Sequence, residues 1–308
     1  MKILITGGAG FIGSSLAEAF LGKGHEIVIV DNMLTGRNTN IPSHTDCRFI
    51  KGDVNNYNDI APVFLAFRFD YVFHYAAVVG VKRTLDNPVL VLNDVQGIKN
   101  VLDLSKSTGV RRVFFSSSSE VYGEPVHLPQ HEETTPLNSR LPYAVVKNVG
   151  ESFCRSYHQE YGLEYTIFRF FNTFGPKQSD DFVITKFLNA AFEHGEVTIY
   201  GDGLQTRTFC YIHDNTEACI NALEKNLFIN DVVNIGNDKA ITVLELAKQV
   251  IAITGSKSRI IHLPALPEGD MTRRQPDISK MKKLLSRGFI SLEDGIKEII
   301  SKNYLPRM

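Results

Sequence analysis

Lys2-Ile-Leu-Ile-Thr-Gly-Gly-Ala-Gly-Phe-Ile-Gly13 opens the chain, and Glu26-Ile-Val-Ile-Val-Asp31 follows it after one helix length. The first apolar run reads as a buried strand, Phe11–Gly22 has helical spacing, and the second apolar run ends in an acid. Glycines at 7, 10 and 13, and again at 8, 10 and 13, permit a tight turn and let backbone approach a pyrophosphate. The helix that starts there offers free N–H groups and a positive dipole end to phosphates. Asp31 stands where a carboxylate accepts hydrogen bonds from adenosine ribose hydroxyls and repels a 2′-phosphate. NAD is therefore expected over NADP, although Arg37 is a nearby cation that would suit the phosphorylated form.

The same alternation continues outward. Arg48–Lys51, Tyr71–Tyr75, Arg112–Ser116 and Glu164–Phe168 read as strands. Tyr57–Phe67, a long Asn87–Ser107 and Tyr143–Tyr161 read as helices. Alternating units of this kind give a parallel, doubly wound sheet with right-handed crossovers, the Rossmann arrangement. Beyond Asn172 segments shorten and loops multiply, as in 175–181 and 201–207. The expected organisation is a cofactor domain over 1–172, with a returning segment near 208–236. The rest of 173–308 forms a smaller α/β substrate-binding lobe.

A chain of 308 residues with 43% hydrophobic residues can bury a sizeable core. A net charge of −1 gives no field to draw nucleic acid or an anionic membrane. No apolar run approaches the ~20 residues that span a bilayer, and no signal segment is evident, so a cytoplasmic enzyme is expected. Cys47, Cys154, Cys210 and Cys219 form no CxxC pair. They read as reduced thiols rather than a disulfide frame or a zinc site, and no metal is expected.

Chemistry enters at two later strand ends. Tyr143 and Lys147 are i, i+4 partners on one helix face. Tyrosine is a poor base, with a reference pKa of about 10. An ammonium one turn away stabilises its phenolate, and the lysine can also hold the nicotinamide ribose. Ser116–Ser119 is a run of hydroxyls at the carboxyl end of a strand, where open α/β sheets bind ligands. One of them can bond the substrate oxygen that Tyr143 deprotonates. Asp53, after the third strand, reads equally as an adenine contact and as a loop Asx-turn. His213-Asp214 reads as a cap on the following helix.

Taken together, Thr6–Gly13, Asp31, Gly52-Asp53-Val54, His74–Ala77, Ser116–Gly123 (SSSSEVYG), Tyr143–Lys147, Arg169–Asn172 (RFFN), Gly201–Asp214 and Gly269–Lys280 resemble the extended short-chain dehydrogenase/reductase family, in its nucleotide-sugar branch. The resemblance runs almost end to end. It implies that Ser118, Tyr143 and Lys147 are catalytic, with Glu120 beside them as a base or as a partner of backbone. It implies a cofactor site from Gly7, Gly10, Phe11, Ile12, Gly13, Asp31, Asn32, Asp53, Val54, Ala76, Asn93, Ser116, Phe170, Tyr143 and Lys147. Ser118, Asn172, Tyr200, Arg207 and Arg273 would hold the nucleotide sugar, the arginines by bidentate pairing with diphosphate. It also implies a homodimer built from the Asn87–Ser107 and Tyr143–Tyr161 helices.

The shared chemistry is oxidation of the sugar at C4. Epimerisation, 4,6-dehydration and uronate decarboxylation diverge from there. Ser119 stands where dehydratases carry an acid. Ser-Ser-Glu, Thr206–Tyr211 and Thr272–Lys280 resemble UDP-glucuronate decarboxylases, whereas Pro142–Lys147 and His74–Pro88 resemble epimerases. A UDP-sugar 4-epimerase is the expectation, because it needs no acid or base beyond Tyr143 and Ser118. A decarboxylase or dehydratase is the alternative. A net dehydrogenase or a non-catalytic NAD binder are readings from other classes.

Overall fold

The computed structural model describes residues 1–265 and 273–304; Gly269–Thr272 of the last motif lie outside them. Six strands alternate with helices as expected: β1 (Lys2–Thr6), β2 (Glu26–Asp31), β3 (Cys47–Lys51), β4 (Tyr71–His74), β5 (Arg112–Ser118) and β6 (Glu164–Phe170). Between them run α1 (Phe11–Leu21), α2 (Tyr57–Phe67), α3 (Val81–Asp86), α4 (Pro88–Leu92), α5 (Asp94–Thr108) and α6 (Pro142–Tyr161). The segment after β6 holds β7 (Thr173–Phe174), α7 (Val183–Phe192), β8 (Val197–Tyr200), β9 (Thr206–Thr208) and β10 (Cys210–Tyr211). Then come α8 (Ile212–Glu224), β11 (Asp231–Ile235), β12 (Ala240–Thr242), α9 (Val243–Thr254), β13 (Ile260–Leu263), α10 (Ser279–Leu284) and α11 (Leu292–Asn303).

The main sheet has seven parallel strands in the order β11-β6-β5-β4-β1-β2-β3. Its inner strands β1, β2 and β4 are apolar on both faces, as a sheet covered twice requires. Alternate side chains feed separate cores. Leu4, Val28, Val30, Val72, Val113 and Phe115 pack on the side of α2, α5 and α6. Ile3, Ile5, Ile29, Phe73, Phe114 and Phe168 pack on the side of α1 and α8. A third core, with Phe187, Leu188, Ile199, Leu246 and Ile296, holds the C-terminal elements together. No helix of the described residues is long and apolar enough to cross a membrane.

Two expectations need correction here. The long Asn87–Ser107 helix is two helices, α4 and α5, joined at Asn93. That residue keeps helical dihedrals (φ −63°, ψ −24°), but Gln96 N bonds back to Asn93 O, three residues away, which tightens the turn. His213 and Asp214 do not cap α8, for they lie inside its first turn. The Asp214 carboxylate is buried and accepts instead from Arg287 Nη1 at 2.6 Å and Ile290 N at 3.1 Å.

Candidate active site

The first βα turn follows from its glycines. Gly7 has φ +70°, and a Cβ there would lie 2.6 Å from Ala76 N. A Cβ on Gly13 would meet Gly7 O at 2.5 Å, so α1 rests directly on the turn. Gly10 caps α1 without a side-chain acceptor, and the first-turn N–H groups face the cavity for an outside anion. Asp31 organises this turn: Oδ2 accepts from Ala9 N at 3.0 Å and Oδ1 from Met33 N at 2.8 Å. Asp53 does two things at once. Its Oδ1 closes an Asx-turn with Asn55 N at 2.8 Å, and its Oδ2 accepts from Asn32 Nδ2 at 3.0 Å. Arg37 is engaged by Asp180 at 3.3 Å.

One cleft runs from this turn along the carboxyl ends of the strands. It is lined by Gly7, Gly10–Gly13, Asp31, Asn32, Asp53, Val54, Ala76, Phe170 and Asn172, and at its far end by Ser116–Glu120, Tyr143, Lys147 and Arg274. There Lys147 Nζ donates to Ser116 Oγ at 3.3 Å and lies 5.6 Å from the Tyr143 ring centroid. Ser118 hydrogen-bonds Tyr143, which favours the phenolate, while burial and the Glu120 carboxylate push that tyrosine's pKa up. Burial pushes Lys147 down to about 8. Glu120 Oε1 pairs with Arg274 Nη2 at 3.7 Å. Arg274 Nε is buried with no hydrogen-bond partner among the described residues.

Behind the site, Glu151 sits one turn beyond Lys147 and is fully buried. It accepts from Ser117 Oγ at 2.6 Å, and from Arg169 Nε at 2.8 Å and Nη2 at 2.7 Å. Arg169 also donates to Tyr122 Oη at 2.8 Å and Glu132 O at 3.1 Å. Breaking one side of a buried pair leaves an uncompensated charge. Arg169→Met is thus expected to lower unfolding free energy by about 3–5 kcal/mol in a denaturant titration. A loss below about 1 kcal/mol would mean that Arg155, 3.1 Å from Glu151, holds the carboxylate alone.

A family model described as the NAD dependent epimerase/dehydratase family matches residues 3–236. The chain belongs to that family. Relatives include a UDP-glucuronic acid decarboxylase 1 of Danio rerio, 35% identical over 97% of this chain and 72% of its own length. A UDP-N-acetyl-alpha-D-glucosaminuronate decarboxylase of Bacillus cytotoxicus is 35% identical over 97% of this chain and 96% of its own. Among solved structures, a UDP-glucose 4-epimerase of Thermotoga maritima holding UDP-glucose superimposes with a TM-score of 0.93. It is 31% identical, over 98% of both chains.

Within this epimerase/dehydratase-family enzyme, several expected residues fall elsewhere. Asn93 is exposed and turned out of the cleft, and the next residue, Asp94, is buried and lines it. Arg273 is exposed and bridges backbone to Thr206, while Arg274 enters the cleft. Tyr200, on β8, is exposed. Arg207, on β9, is buried and donates Nη1 to Thr206 O at 2.8 Å; neither residue lines this cleft. Of the serine run, only Ser116 and Ser118 meet Lys147 and Tyr143. Ser117 turns to Glu151, and Ser119 is buried.

Proposed function

We propose that this NAD-dependent family member decarboxylates a UDP-uronate, by transient oxidation at C4. The observation that carries the reading is the pairing of half-buried Glu120 with buried Arg274 beside Tyr143, with an Arg274 N–H left unspent. Epimerisation needs only Ser118, Tyr143 and Lys147, and leaves that pair without work. A uronate needs it, because its C6 carboxylate wants a cation at the reacting end of the sugar. The decarboxylase relatives, at 35% identity over nearly the whole chain, support the same direction.

The cofactor's residues are the glycine turn, Asp31, Asn32, Asp53, Val54, Ala76, Ser116, Phe170 and Lys147. NAD, when bound, supplies the acceptor and later the donor of the C4 hydride. Ser118 holds the C4 hydroxyl and Tyr143 takes its proton, with the Lys147 ammonium favouring the phenolate. A ketone at C4 makes the C6 carboxylate β to a carbonyl. Carbon dioxide then departs with the C5–C6 electron pair moving into an enolate, whose oxygen Ser118 and Tyr143 hold. Glu120 stands on that side to carry a proton to C5. Its charge offsets Arg274, so the carboxylate is held without being strongly stabilised against departure. Asn172 lines the cleft further along. Tyr200, Arg207 and Arg273 belong, on this reading, to the nucleotide end.

A 4-epimerase is the second reading, favoured by the close superposition on the Thermotoga maritima enzyme. Incubation with UDP-, dTDP-, GDP- and CDP-linked hexoses and uronates, read by product mass, separates the two. Loss of carbon dioxide from a UDP-uronate is expected; an unchanged mass with inverted C4 would establish epimerisation instead. Glu120→Gln should block the decarboxylated product. Indifference to that substitution would argue for epimerisation.

Two further outcomes follow. Asp31→Ala should weaken NAD binding by about 1–3 kcal/mol, the scale of hydrogen bonds left unmade; unchanged affinity in calorimetry would remove Asp31 from the cofactor site. We also propose a homodimer through the face of α4 and α6, where Val89, Leu92 and Val145 are exposed. Val89→Asp should yield a monomer in light scattering, and a wild-type monomer would end that proposal.

A further inference from the structure

Lys147 is 3% exposed, and its hydrogen bond is to a neutral hydroxyl, Ser116 Oγ. On its other sides it meets the rings of Phe115 and Tyr143, 5.2 and 5.6 Å from Nζ. Burial of this kind works against the ammonium form. Yet the ammonium is the form that the Tyr143 phenolate needs. Something in the cleft has to favour the charge.

The carboxylate whose field reaches Lys147 is Asp94, the first residue of α5. α5 packs along α6, and Asp94 is 8% exposed and lines the same cleft as Lys147. Its side chain is fixed from the far side: Oδ2 accepts from Val78 N at 2.7 Å and Oδ1 from Asn55 Nδ2 at 3.4 Å. Both donors are neutral, so they orient the carboxylate without cancelling its charge. Burial, helped by the Asp53 carboxylate, pushes the Asp94 pKa up, while the Val78 N–H, the Lys147 ammonium and the Asn55 amide favour its charged form.

The other titratable groups around Lys147 are otherwise committed. His74, on β4, is fully buried, and burial lowers its pKa to about 3, so it stays neutral. Thr6 Oγ1 already accepts from Tyr75 N and Ala76 N, so its own proton goes to His74 Nδ1 at 2.8 Å. Glu151, on α6, is taken by Arg169, Arg155 and Ser117. Glu120 and Arg274 act on Tyr143.

We propose that Asp94 is the buried counter-ion of Lys147, a positioning residue that keeps the ammonium charged beside Tyr143. It rests on the reading that Tyr143 and Lys147 serve oxidation at C4. Its sign is definite. Removing the carboxylate removes what favours the ammonium, so Lys147 loses its proton at lower pH. Substitution by Asn keeps the size and one of the two acceptor oxygens, enough for the shorter bond from Val78 N, while deleting the charge.

The test is a titration of NAD-saturated protein labelled with 13C at the lysine Cε, with Lys147 assigned by its absence in Lys147→Arg. The Lys147 midpoint should fall by about one pH unit in Asp94→Asn. It should stay in place in Asp94→Glu. Coupling between two sites is reciprocal, so the converse variant is a second reading that does not depend on Asp94→Asn folding. In Lys147→Met, the Asp94 carboxyl carbon should titrate about one unit higher than in wild type. An unmoved midpoint in either experiment overturns the proposal. Neither readout needs substrate. A Lys147 midpoint that falls while the alkaline limb of kcat stays fixed would leave the counter-ion standing, and would overturn instead the part given to Lys147 in turnover.

Discussion

Tyr143→Phe is expected to lower turnover of the nucleotide sugar by about 10³-fold or more while NAD remains bound. The phenol is the group of the cleft placed to take the C4 proton, since it bonds Ser118 and has Lys147 one turn behind it. In the free protein burial and Glu120 hold the proton on Tyr143. The phenolate therefore forms only when cations gather around it. Phe keeps the ring that packs between Ser118 and Lys147, so the cofactor contacts survive. The measurement is turnover beside calorimetric NAD affinity. Retained activity would remove Tyr143 from the chemistry, and lost NAD affinity would make the variant uninformative about proton transfer while pointing to a binding role.

Arg274→Ala is expected to slow carbon dioxide release by about 10²–10³-fold, the scale of one lost charge-stabilising donor. Oxidation at C4 rests mainly on Ser118, Tyr143 and Lys147 and should suffer less, so reduced cofactor and 4-keto sugar should accumulate and be visible by nicotinamide absorbance. The deletion also strips Glu120 of its partner. Glu120 raises the Tyr143 pKa and Arg274 lowers it. Arg274→Lys keeps that charge balance and separates it from the bidentate contact with the carboxylate. A pentose product at the wild-type rate from Arg274→Ala would sink the decarboxylase reading.

Most of the fold was legible in the sequence because the strands are short apolar runs closed by turn residues. β1 and α2 fall where the pattern put them, and β5 and β6 run two residues further than expected. The lining of the candidate site was legible wherever a residue carries its own signature: the glycine turn, Tyr143 and Lys147 all line the one cleft. Twice the residue that lines this cleft is the neighbour of the one expected, and for the same reason. Asp94 lies on the buried stripe of α5 with Gly97, Ile98 and Val101, whereas Asn93 falls outside it. Arg274 shares the inward face with Pro276 and Ile278, whereas Arg273 alternates outward. Both expectations chose the residue by type, whereas helical and extended periodicity turn its neighbour toward this cleft. Ser117 fell to the same alternation, since successive residues of β5 face opposite sides of the sheet. Nothing in the sequence foretells the partnership of Glu120 with Arg274, which are brought together from loops far apart in the chain.

The fully buried carboxylate of Glu151 ties α6 to β5 through Ser117 and to β6 through Arg169, directly beneath the serines and the Tyr–Lys pair. Amide protons of Ser116–Ser118 and of the buried positions Val146, Lys147, Gly150, Glu151 and Cys154 of α6 should accordingly exchange only by global unfolding, among the slowest in the chain. The free energy of assembling proton donor and acceptor is then spent once, at folding, and not again in each catalytic cycle. Substrate arrives at a site whose reorganisation is already complete.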